Sequence, residues 1–351
     1  MHLSELSLAL RPLLVGVLLV ASTLAPRAHA YTPEDPEVLA MVDRAVKYLE
    51  GLSEQQLNER TYGVPEGQPM LIAYAHFKAM HDPDAPLVKL GIQKALQYVE
   101  TVRKNNGALV SSHSKAIYES SVAIMLLAEV DSRKYRPELS LLASALLARQ
   151  MAHGGFGYFG MEDGDTSQVQ YAALAMWTLD RAGIEFNFDQ VSRMNGWIMR
   201  VQDPTGYWTY TPKDPGPGRG LVNQTKSHLS VTTCLAAGSA VLIAADVLRQ
   251  WGVTDGLATK IEGLPAAVKV SLVDPTQEQQ LEISRKKAIK VPAEAILAAL
   301  NRMDNYRTQN PFKRTGAPDW YYYMIYTLER YESFLEIARP SRTPSNAWYD
   351  E

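Results

Sequence analysis

Two short segments decide how this sequence folds: QMAHGGF at residues 150–156 and QDPTGYW at residues 202–208. Both follow the pattern Gln-x-x-x-Gly-x-aromatic. The glycine accepts a tight turn or the close approach of a second helix, and the aromatic ring fills space between neighbouring units. The glutamine amide can bond backbone groups left open at helix ends. Because one turn recurs with the same chemistry, the sequence predicts a structure built from repeats.

Weaker copies of the turn extend the repeat in both directions. The central glycines are Gly63, Gly107, Gly154, Gly206 and Gly316. The first three intervals are 44, 47 and 52 residues, about the length of one helical hairpin. The last interval is 110 residues, which leaves room for two units or for one unit with an insertion. We therefore expect five or six repeats, with an insertion around residues 253–290.

The helices on either side of each turn differ in kind. Before the turn the pattern is amphipathic, as in EVLAMVDRAVKYLE at residues 37–50. The apolar stripe expected there is Val38, Leu39, Val42, Ala45, Val46 and Leu49. After the turn the helices are apolar nearly all round, as at residues 118–130 and 231–247, and should be buried on most sides. No period-two run or Asn-Gly hairpin indicates a strand, so the sequence predicts an all-α fold of outer and inner helices.

The N-terminus has the features of a secretory signal peptide over residues 1–30. Arg11 precedes the apolar run LLVGVLLVASTLA, and Ala28-His29-Ala30 is a small-x-small cleavage pattern. The run is too short to span a bilayer comfortably. We expect cleavage near Ala30 and a secreted or periplasmic protein, with no stable membrane span in the mature chain; an uncleaved anchor is the alternative. The mature chain then comprises one domain at residues 31–340 and a tail at residues 341–351.

Composition limits the partners of this chain. Of its 351 residues, 46% are hydrophobic and 21% are charged, and the net charge is −3, which is typical of a globular protein. No basic block resembles a nucleic-acid binding surface, so nucleic acid is not an expected partner. Cys234 is the only cysteine, so no internal disulfide can form and stability must come from packing.

The Gln-x-x-x-Gly-x-aromatic turns resemble the repeat of the terpenoid cyclase and protein prenyltransferase superfamily, whose fold is an α/α toroid. The resemblance covers most of residues 35–337 in architecture, and the copies at Gln150 and Gln202 carry it. The chain is also similar to squalene-cyclase-like repeat proteins that some bacteria export. The resemblance implies a double-layered ring of helical hairpins, in which inner helices line a central space and outer helices face water.

The same resemblance directs attention to EDGDT at residues 162–166. Cyclases of this superfamily that protonate an alkene carry a D-x-D-D-T-like motif, whose middle aspartate is the proton donor. Here the donor position falls on Gly164, and a one-residue slip would place Asp163 there. Asp165 has a second interpretation as a helix N-cap, with Gln168 three residues on as in a capping box. The caps expected for other inner helices are Ser112 or Ser114, Ser227 or Ser230, and Asp319.

Metal and cofactor chemistry is not expected from this sequence. Prenyltransferases hold zinc with an Asp-x-Cys pair and a later histidine, but the residue two before Cys234 is Thr232, which cannot supply the carboxylate. His228 lies six positions from Cys234, off a common helical face. The Cys-Gly-Glu-Gln thioester motif of a related toroid also fails, because Leu235 follows Cys234.

Aromatic and polar side chains of the inner helices are the candidates for lining a ligand site. They are Tyr118, Gln168, Tyr171, Trp177, Tyr322, Tyr323 and Tyr326. Aromatic faces can stabilise cations or stack on apolar or sugar rings, although at helical spacing plain core packing is the alternative.

Two functions are consistent with these residues. The first is binding of a small apolar or carbohydrate ligand, or of another protein, at the central cavity or ring mouth, without cyclase or zinc transferase chemistry. The second is a divergent enzyme, either terpenoid cyclase-like or a carbohydrate-active hydrolase or lyase, with Asp163, Asp165 or Glu119 as its acid.

Overall fold

The structure is a computed structural model that describes residues 35–57, 67–111, 115–226, 230–251, 275–311 and 318–339. These residues form α-helices and no β-strand, which confirms the all-α prediction. Contacts divide the chain into a main unit, Arg44–Arg342, and a second unit of Met1–Asp43 with Thr343–Glu351. Of the second unit, only residues 35–43 are described.

Twelve helices run through the described residues. They are α1 (Pro36–Glu50), α2 (Glu54–Leu57), α3 (Gly67–Met80), α4 (Pro86–Lys104), α5 (Ala116–Asp131), α6 (Arg136–Leu147), α7 (Thr166–Arg181), α8 (Phe188–Arg200), α9 (Ser230–Val247), α10 (Pro275–Lys287), α11 (Ala293–Gln309) and α12 (Pro318–Ala338). Several predictions fall outside the described residues: the signal segment 1–30, the turns at Gly63 and Gly316, Ser112, Ser114, Ser227, His228, residues 253–274 of the insertion and the tail 341–351.

Proline and left-handed residues mark many of the helix ends. Proline is pre-shaped for the first helical turn and lacks the N–H that this turn leaves unpaired. It is the first residue of α1, α4, α10 and α12. Residues with positive φ follow the ends of α3, α4, α7 and α9, where they stop the helical hydrogen-bond ladder. They are His81, Asn106 with Gly107, Gly183, and Arg249.

The expected contrast between two kinds of helix is present in the main unit. Residues 232–248, which include most of α9, are all buried, and so are residues 119–127 of α5. In α8, by contrast, burial follows a stripe that includes Val191, Met194 and Ile198. The stripe prediction for α1 is partly wrong, because Val46 is buried but Leu39 is 51% exposed.

The order of packing follows the order of the chain. Helices α3, α5, α7, α9 and α12 each contact the next member of that series. The amphipathic helices lie against them: α4 contacts α3 and α5, α6 contacts α5 and α7, α8 contacts α7 and α9, and α11 contacts α9. Helices α4 and α6 also contact each other. Each hairpin therefore buries its apolar face against its neighbours in sequence.

The glutamine turns connect each hairpin to the next amphipathic helix. In the turn after α6, the Gln150 side-chain amide donates to the carbonyl oxygens of Gly154 (2.9 Å) and Gln190 (2.7 Å). In the turn after α8, the Gln202 amide donates to those of Gly206 (3.0 Å) and Ala299 (2.9 Å). Gln190 lies in α8 and Ala299 in α11. The two copies therefore make the same pair of bonds, and α11 meets its turn as α8 meets the preceding one.

The glycines of these turns are fixed by close backbone approach. Gly154 and Gly206 have φ of +105° and +109°. A Cβ atom on Gly154 would lie 2.2 Å from the carbonyl oxygen of Arg193, and one on Gly206 would lie 2.2 Å from that of Arg302. Only a residue without a side chain fits there. The aromatic residues of the motif, Phe156 and Trp208, are fully buried behind the turns.

The turn around Gly107 follows the pattern only in part. Arg103, in the glutamine position, pairs with Glu100 one turn earlier in α4. Asn105 instead closes the turn, donating to the carbonyl oxygens of Ala108 (2.9 Å) and Leu109 (3.3 Å). Gly107 retains a positive φ of +77°. The sequence departure at Arg103 is therefore matched by a different local hydrogen-bond pattern.

We expect Gly206→Ala to destabilise the fold by about 2 to 4 kcal/mol, since it adds a backbone clash to the strain of positive φ. The matched control is Gly216→Ala, at φ +89° with nothing within 4 Å of the added Cβ. It should cost about 1 kcal/mol, from φ strain alone. Urea unfolding midpoints of the two variants measure the difference; equal losses would show that close approach to α11 is not what selects glycine.

Candidate functional site

Tyrosines from three of the consecutively packed helices meet side by side. Tyr118 lies in α5, Tyr171 in α7, and Tyr323 and Tyr326 in α12. The ring centroids of Tyr118 and Tyr171 are 4.8 Å apart and nearly perpendicular, at 76°. The rings of Tyr171 and Tyr326 are stacked at 6.5 Å and 28°. We call these four residues the tyrosine cluster; its members are separated by up to 208 positions in the chain (118 to 326).

The tyrosine cluster is desolvated and yet reachable by solvent. Burial raises the pKa of all four phenols above the ordinary value, so the hydroxyl groups are neutral at physiological pH. Each of the four side chains nevertheless keeps part of its surface exposed. The rings of Tyr118, Tyr171 and Tyr326 form one partly exposed aromatic surface of the main unit. We call this surface the recess.

Asp165 caps the N-terminus of α7, as the capping interpretation predicts. It is 4% exposed, and its Oδ1 accepts from the backbone N–H of Gln168 (3.0 Å) and from the Ser167 hydroxyl (2.5 Å). The reciprocal half of a capping box is absent, because the Asp165 N–H donates to the carbonyl oxygen of Phe156 (2.7 Å). Gln168 is buried, and its side-chain amide nitrogen has no hydrogen-bond partner.

The pKa of Asp165 is raised, so its protonated form is more favoured in the protein than in water. Burial raises the pKa of the carboxyl group, although bonds from Ser167 and Gln168 and the charge of Lys115 act in the opposite direction. The Lys115 ammonium donates to the Tyr158 hydroxyl (3.1 Å) and lies 5.8 Å from the centroid of the Tyr118 ring. An acid, a cation and several phenols therefore meet where α5 and α7 begin.

The other two candidate acids, Asp163 and Glu119, differ from Asp165 in exposure or in position. Asp163 is exposed, two residues before the cap. Glu119 is buried in the first turn of α5. The expected serine cap of α5 is wrong, because Lys115 precedes the helix and makes no side-chain capping bond. Helix α12 begins at Pro318, so Asp319 lies inside its first turn.

Gly164, the expected donor position in the comparison with the cyclase motif, is packed closely against Trp197. A Cβ atom at this position would lie 2.4 Å from Cζ2 of Trp197, whose indole is fully buried. An aspartate could not occupy the donor position without displacing that ring. The missing acid is therefore accompanied by packing that excludes it.

Trp177 and Tyr322 lie apart from the tyrosine cluster. Trp177 donates its indole N–H to Asp246 of α9 (2.9 Å) and packs edge-on against Phe334 of α12. Tyr322 is 75% exposed and contacts the ring of Tyr321. Both residues are on the expected helices, but their contacts are with other groups.

A buried charged cluster near Trp177 joins the end of α7 to α10. Asp180 contacts the guanidinium groups of Arg285 in α10 (2.5 Å) and of Arg249 just beyond α9 (2.9 Å). Arg249 holds a left-handed backbone, with φ of +53°. Burial lowers the pKa of Arg285 even though Asp180 raises it. The polar helix α10 is thus joined to α7 through a buried carboxylate.

Cys234 is a packing residue in this structure. Its side chain is fully buried, and its sulfur accepts from the backbone N–H of Trp208 (3.3 Å). Burial raises the pKa of the thiol to about 12. Among the described residues, no three His, Cys, Asp or Glu side chains are grouped so that they could hold a metal ion.

Four residues of the site were not among the sequence candidates. They are Lys115, Ser167, Gln170 and Arg330, and each contacts a member of the tyrosine cluster. Gln170 carries a signal that the sequence does offer, because it is a polar residue between Val169 and the apolar and aromatic run at residues 171–177. Such a residue requires hydrogen-bond partners when it is buried.

Comparison of the chain with protein-family models, with curated proteins and with solved structures finds no match in any of the three. Within the described ranges, no helix is both long enough and apolar enough to cross a bilayer.

Two substitutions at Asp165 distinguish the contribution of its helix-capping bond from the effect of its buried charge. Asp165→Ala should lower the free energy of unfolding by about 1 kcal/mol through loss of the cap. Asp165→Asn keeps the accepting oxygen and removes the buried charge, so its stability at pH 7 should equal or exceed that of the wild type.

The sign of the pH effect follows from the raised pKa of Asp165. Stability contributed by this group is fully present below its ordinary pKa of about 4 and is lost as pH rises through the folded value. The gap between wild type and Asp165→Asn should therefore close below about pH 4. Thermal melts from pH 3.5 to 7.5 test this; Asp165→Ala melting with the wild type would remove the capping role.

Proposed function

We propose that the main unit forms an α/α toroid, in which α3, α5, α7, α9 and α12 are the inner helices. Their consecutive packing supports this arrangement. Support for closure comes from Tyr74 of α3: after burial and Glu129, the charges of Arg330 and Glu329 of α12 influence its pKa. Tyr74 of α3 is therefore within the range of charges on α12, which supports a ring whose first and last inner helices are neighbours.

The equivalence of the glutamine turns supports the repeat within this toroid. Helix α11 provides Ala299 and Arg302 to the turn after α8, as α8 provides Gln190 and Arg193 to the turn after α6. In this interpretation α11 is the next outer helix after α8. Residues 253–290, including α10, are then an insertion between an inner helix and the outer helix of the next unit.

We propose that this toroid binds a small ligand in the recess, after export directed by residues 1–30. The observation that carries the proposal is that Tyr118, Tyr171 and Tyr326 form a continuous, partly exposed aromatic surface drawn from three helices. The faces of these rings suit a ring-shaped ligand, apolar or carbohydrate, that stacks on an aromatic surface.

Cyclase or zinc transferase chemistry is not part of this proposal. Trp197 fills the space that an acid at Gly164 would need, and Thr232 stands where the zinc carboxylate would be. The enzyme alternative rests on Asp165, whose raised pKa suits an acid. Its Oδ1 is already committed to Ser167 and Gln168, which favours the structural role.

The proposal predicts that ligand retention depends on Tyr171. Mature protein is incubated with lipid extracts and with glycan pools, and retained molecules are identified by mass spectrometry. Tyr171→Ala should reduce retention about tenfold, since one aromatic contact contributes roughly 1 to 1.5 kcal/mol. Tyr171→Phe, which keeps the ring, should retain most of the binding.

Tyr48→Ala is the matched control, because Tyr48 is 67% exposed in α1. It should leave retention unchanged. Thermal melts of all variants establish that the fold is intact. Retention that is the same for the wild type and Tyr171→Ala, or no retained molecule from either pool, would contradict ligand binding in the recess.

A further inference from the structure

The hydroxyl proton of Tyr118 has a fixed direction. Oδ1 of Asp165 accepts the N–H of Gln168, so it is an acceptor for the Ser167 hydroxyl as well, at 2.5 Å. Ser167 has only one hydroxyl proton, and this bond uses it. The Tyr118 hydroxyl lies 2.6 Å from the Ser167 oxygen and must therefore donate to it. Tyr118 can consequently offer a lone pair to the recess, but not a proton.

The hydroxyl proton of Tyr323 is directed in the same manner. Ser239 donates to the carbonyl oxygen of Ala236 (2.9 Å), so it accepts from the Gln170 amide nitrogen (3.0 Å). That bond fixes the orientation of the Gln170 amide, whose oxygen then accepts the Tyr323 hydroxyl (2.8 Å). Every group in this series of hydrogen bonds lies on α7, α9 or α12. Two separate series of hydrogen bonds thus direct the hydroxyl protons of Tyr118 and Tyr323 towards protein acceptors and away from the recess.

The opposite side of the tyrosine cluster has the complementary polarity. The Arg330 guanidinium lies 5.3 Å from the centroid of the Tyr326 ring; it has donors and no acceptor, so it does not take up the phenolic proton, which Tyr326 can donate to a ligand. The charges around the cluster also balance. Lys115 and Arg330 carry positive charge, and Asp165 and Glu329 can carry negative charge.

We propose that the ligand of the recess is a neutral polyol, a carbohydrate, whose hydroxyl groups donate to Tyr118 and accept from Tyr326 while its ring lies against Tyr171. This inference rests on the proposed binding function. A hydroxyl group both donates and accepts, so one ligand class meets both polarities. A hydrocarbon chain would cover the Tyr118 oxygen without supplying a donor. A diphosphate has only hydrogen-bond acceptors, so it cannot donate a hydrogen bond to the Tyr118 oxygen.

The experiment uses three kinds of probe on the mature protein: an array of neutral glycans, farnesol, and inorganic pyrophosphate. Binding is measured by titration, and tyrosine ring resonances report whether the recess is the site. The variants are Tyr118→Phe and Ser167→Ala, with Tyr48→Phe as the control for loss of an exposed hydroxyl. Thermal melts confirm that each variant is folded.

The expected result is that a neutral glycan binds and shifts the resonances of Tyr171. Tyr118→Phe should weaken this binding about tenfold, since one hydrogen bond is lost and a ligand donor is left unpaired. Ser167→Ala should also weaken it, by about threefold, because Tyr118 is then free to turn its proton towards the ligand. Tyr48→Phe should have no effect.

Three other outcomes contradict the inference in distinguishable ways. Binding of farnesol or pyrophosphate at the tyrosine cluster, without glycan binding, overturns the polyol and leaves a binding recess. Glycan binding that Tyr118→Phe does not weaken overturns the directed hydrogen bond. If no probe shifts the tyrosine resonances, the polyol inference and the binding function both fail.

Discussion

The close approach of each glutamine turn to the next amphipathic helix is the constraint on which the rest of the structure depends. At Gly154 and Gly206 the backbone comes so near to Arg193 and Arg302 that no side chain fits between them. The glutamine amide then bonds its own turn and the neighbouring helix with its two N–H groups. This contact sets the spacing between hairpins, because a shift of the neighbouring helix breaks the amide bond to Gln190 or to Ala299.

The same turns also position the site. The turn that begins at Gln202 passes across the start of α7, where Thr166 donates its hydroxyl to the carbonyl oxygen of Thr209 (2.6 Å) and its N–H to that of Tyr210 (2.9 Å). The preceding turn accepts the Asp165 N–H at Phe156. The first residues of α7 are therefore held from two sides. Ser167, which is hydrogen-bonded to Tyr118, is therefore positioned by the turns.

Local patterns in the sequence were sufficient for the all-α fold class and for the helix cap at Asp165. The apolar segments at α5 and α9 are buried as expected, and Asp165 binds the backbone three residues on. The cap of α5 and the α1 stripe were wrong in part, because short-range patterns do not reveal which face a neighbour covers. Lys115 precedes α5 without capping it, and Leu39 stays exposed.

The contacts of the candidate site could not be predicted from the sequence, because the residues in contact are far apart along the chain. Tyr118 and Ser167 are 49 positions apart, and Tyr323 and Gln170 are 153 apart. No local periodicity relates such pairs, since they meet only after the hairpins have packed. The tyrosines could be selected as aromatic residues of inner helices. The direction of their protons depends on Asp165, Ser239 and the orientation of one amide.

Asp180 has a consequence for how this chain tolerates change. Arg249 lies directly beyond α9 and Arg285 lies in α10, so the segment between them is tethered at both ends to one carboxylate on α7. Additions or deletions within that segment fall between two fixed anchor points. Loss of the carboxylate would instead release both anchors together and leave two guanidinium groups repelling each other. Sequence drift should thus be wide between the arginines and narrow at Asp180.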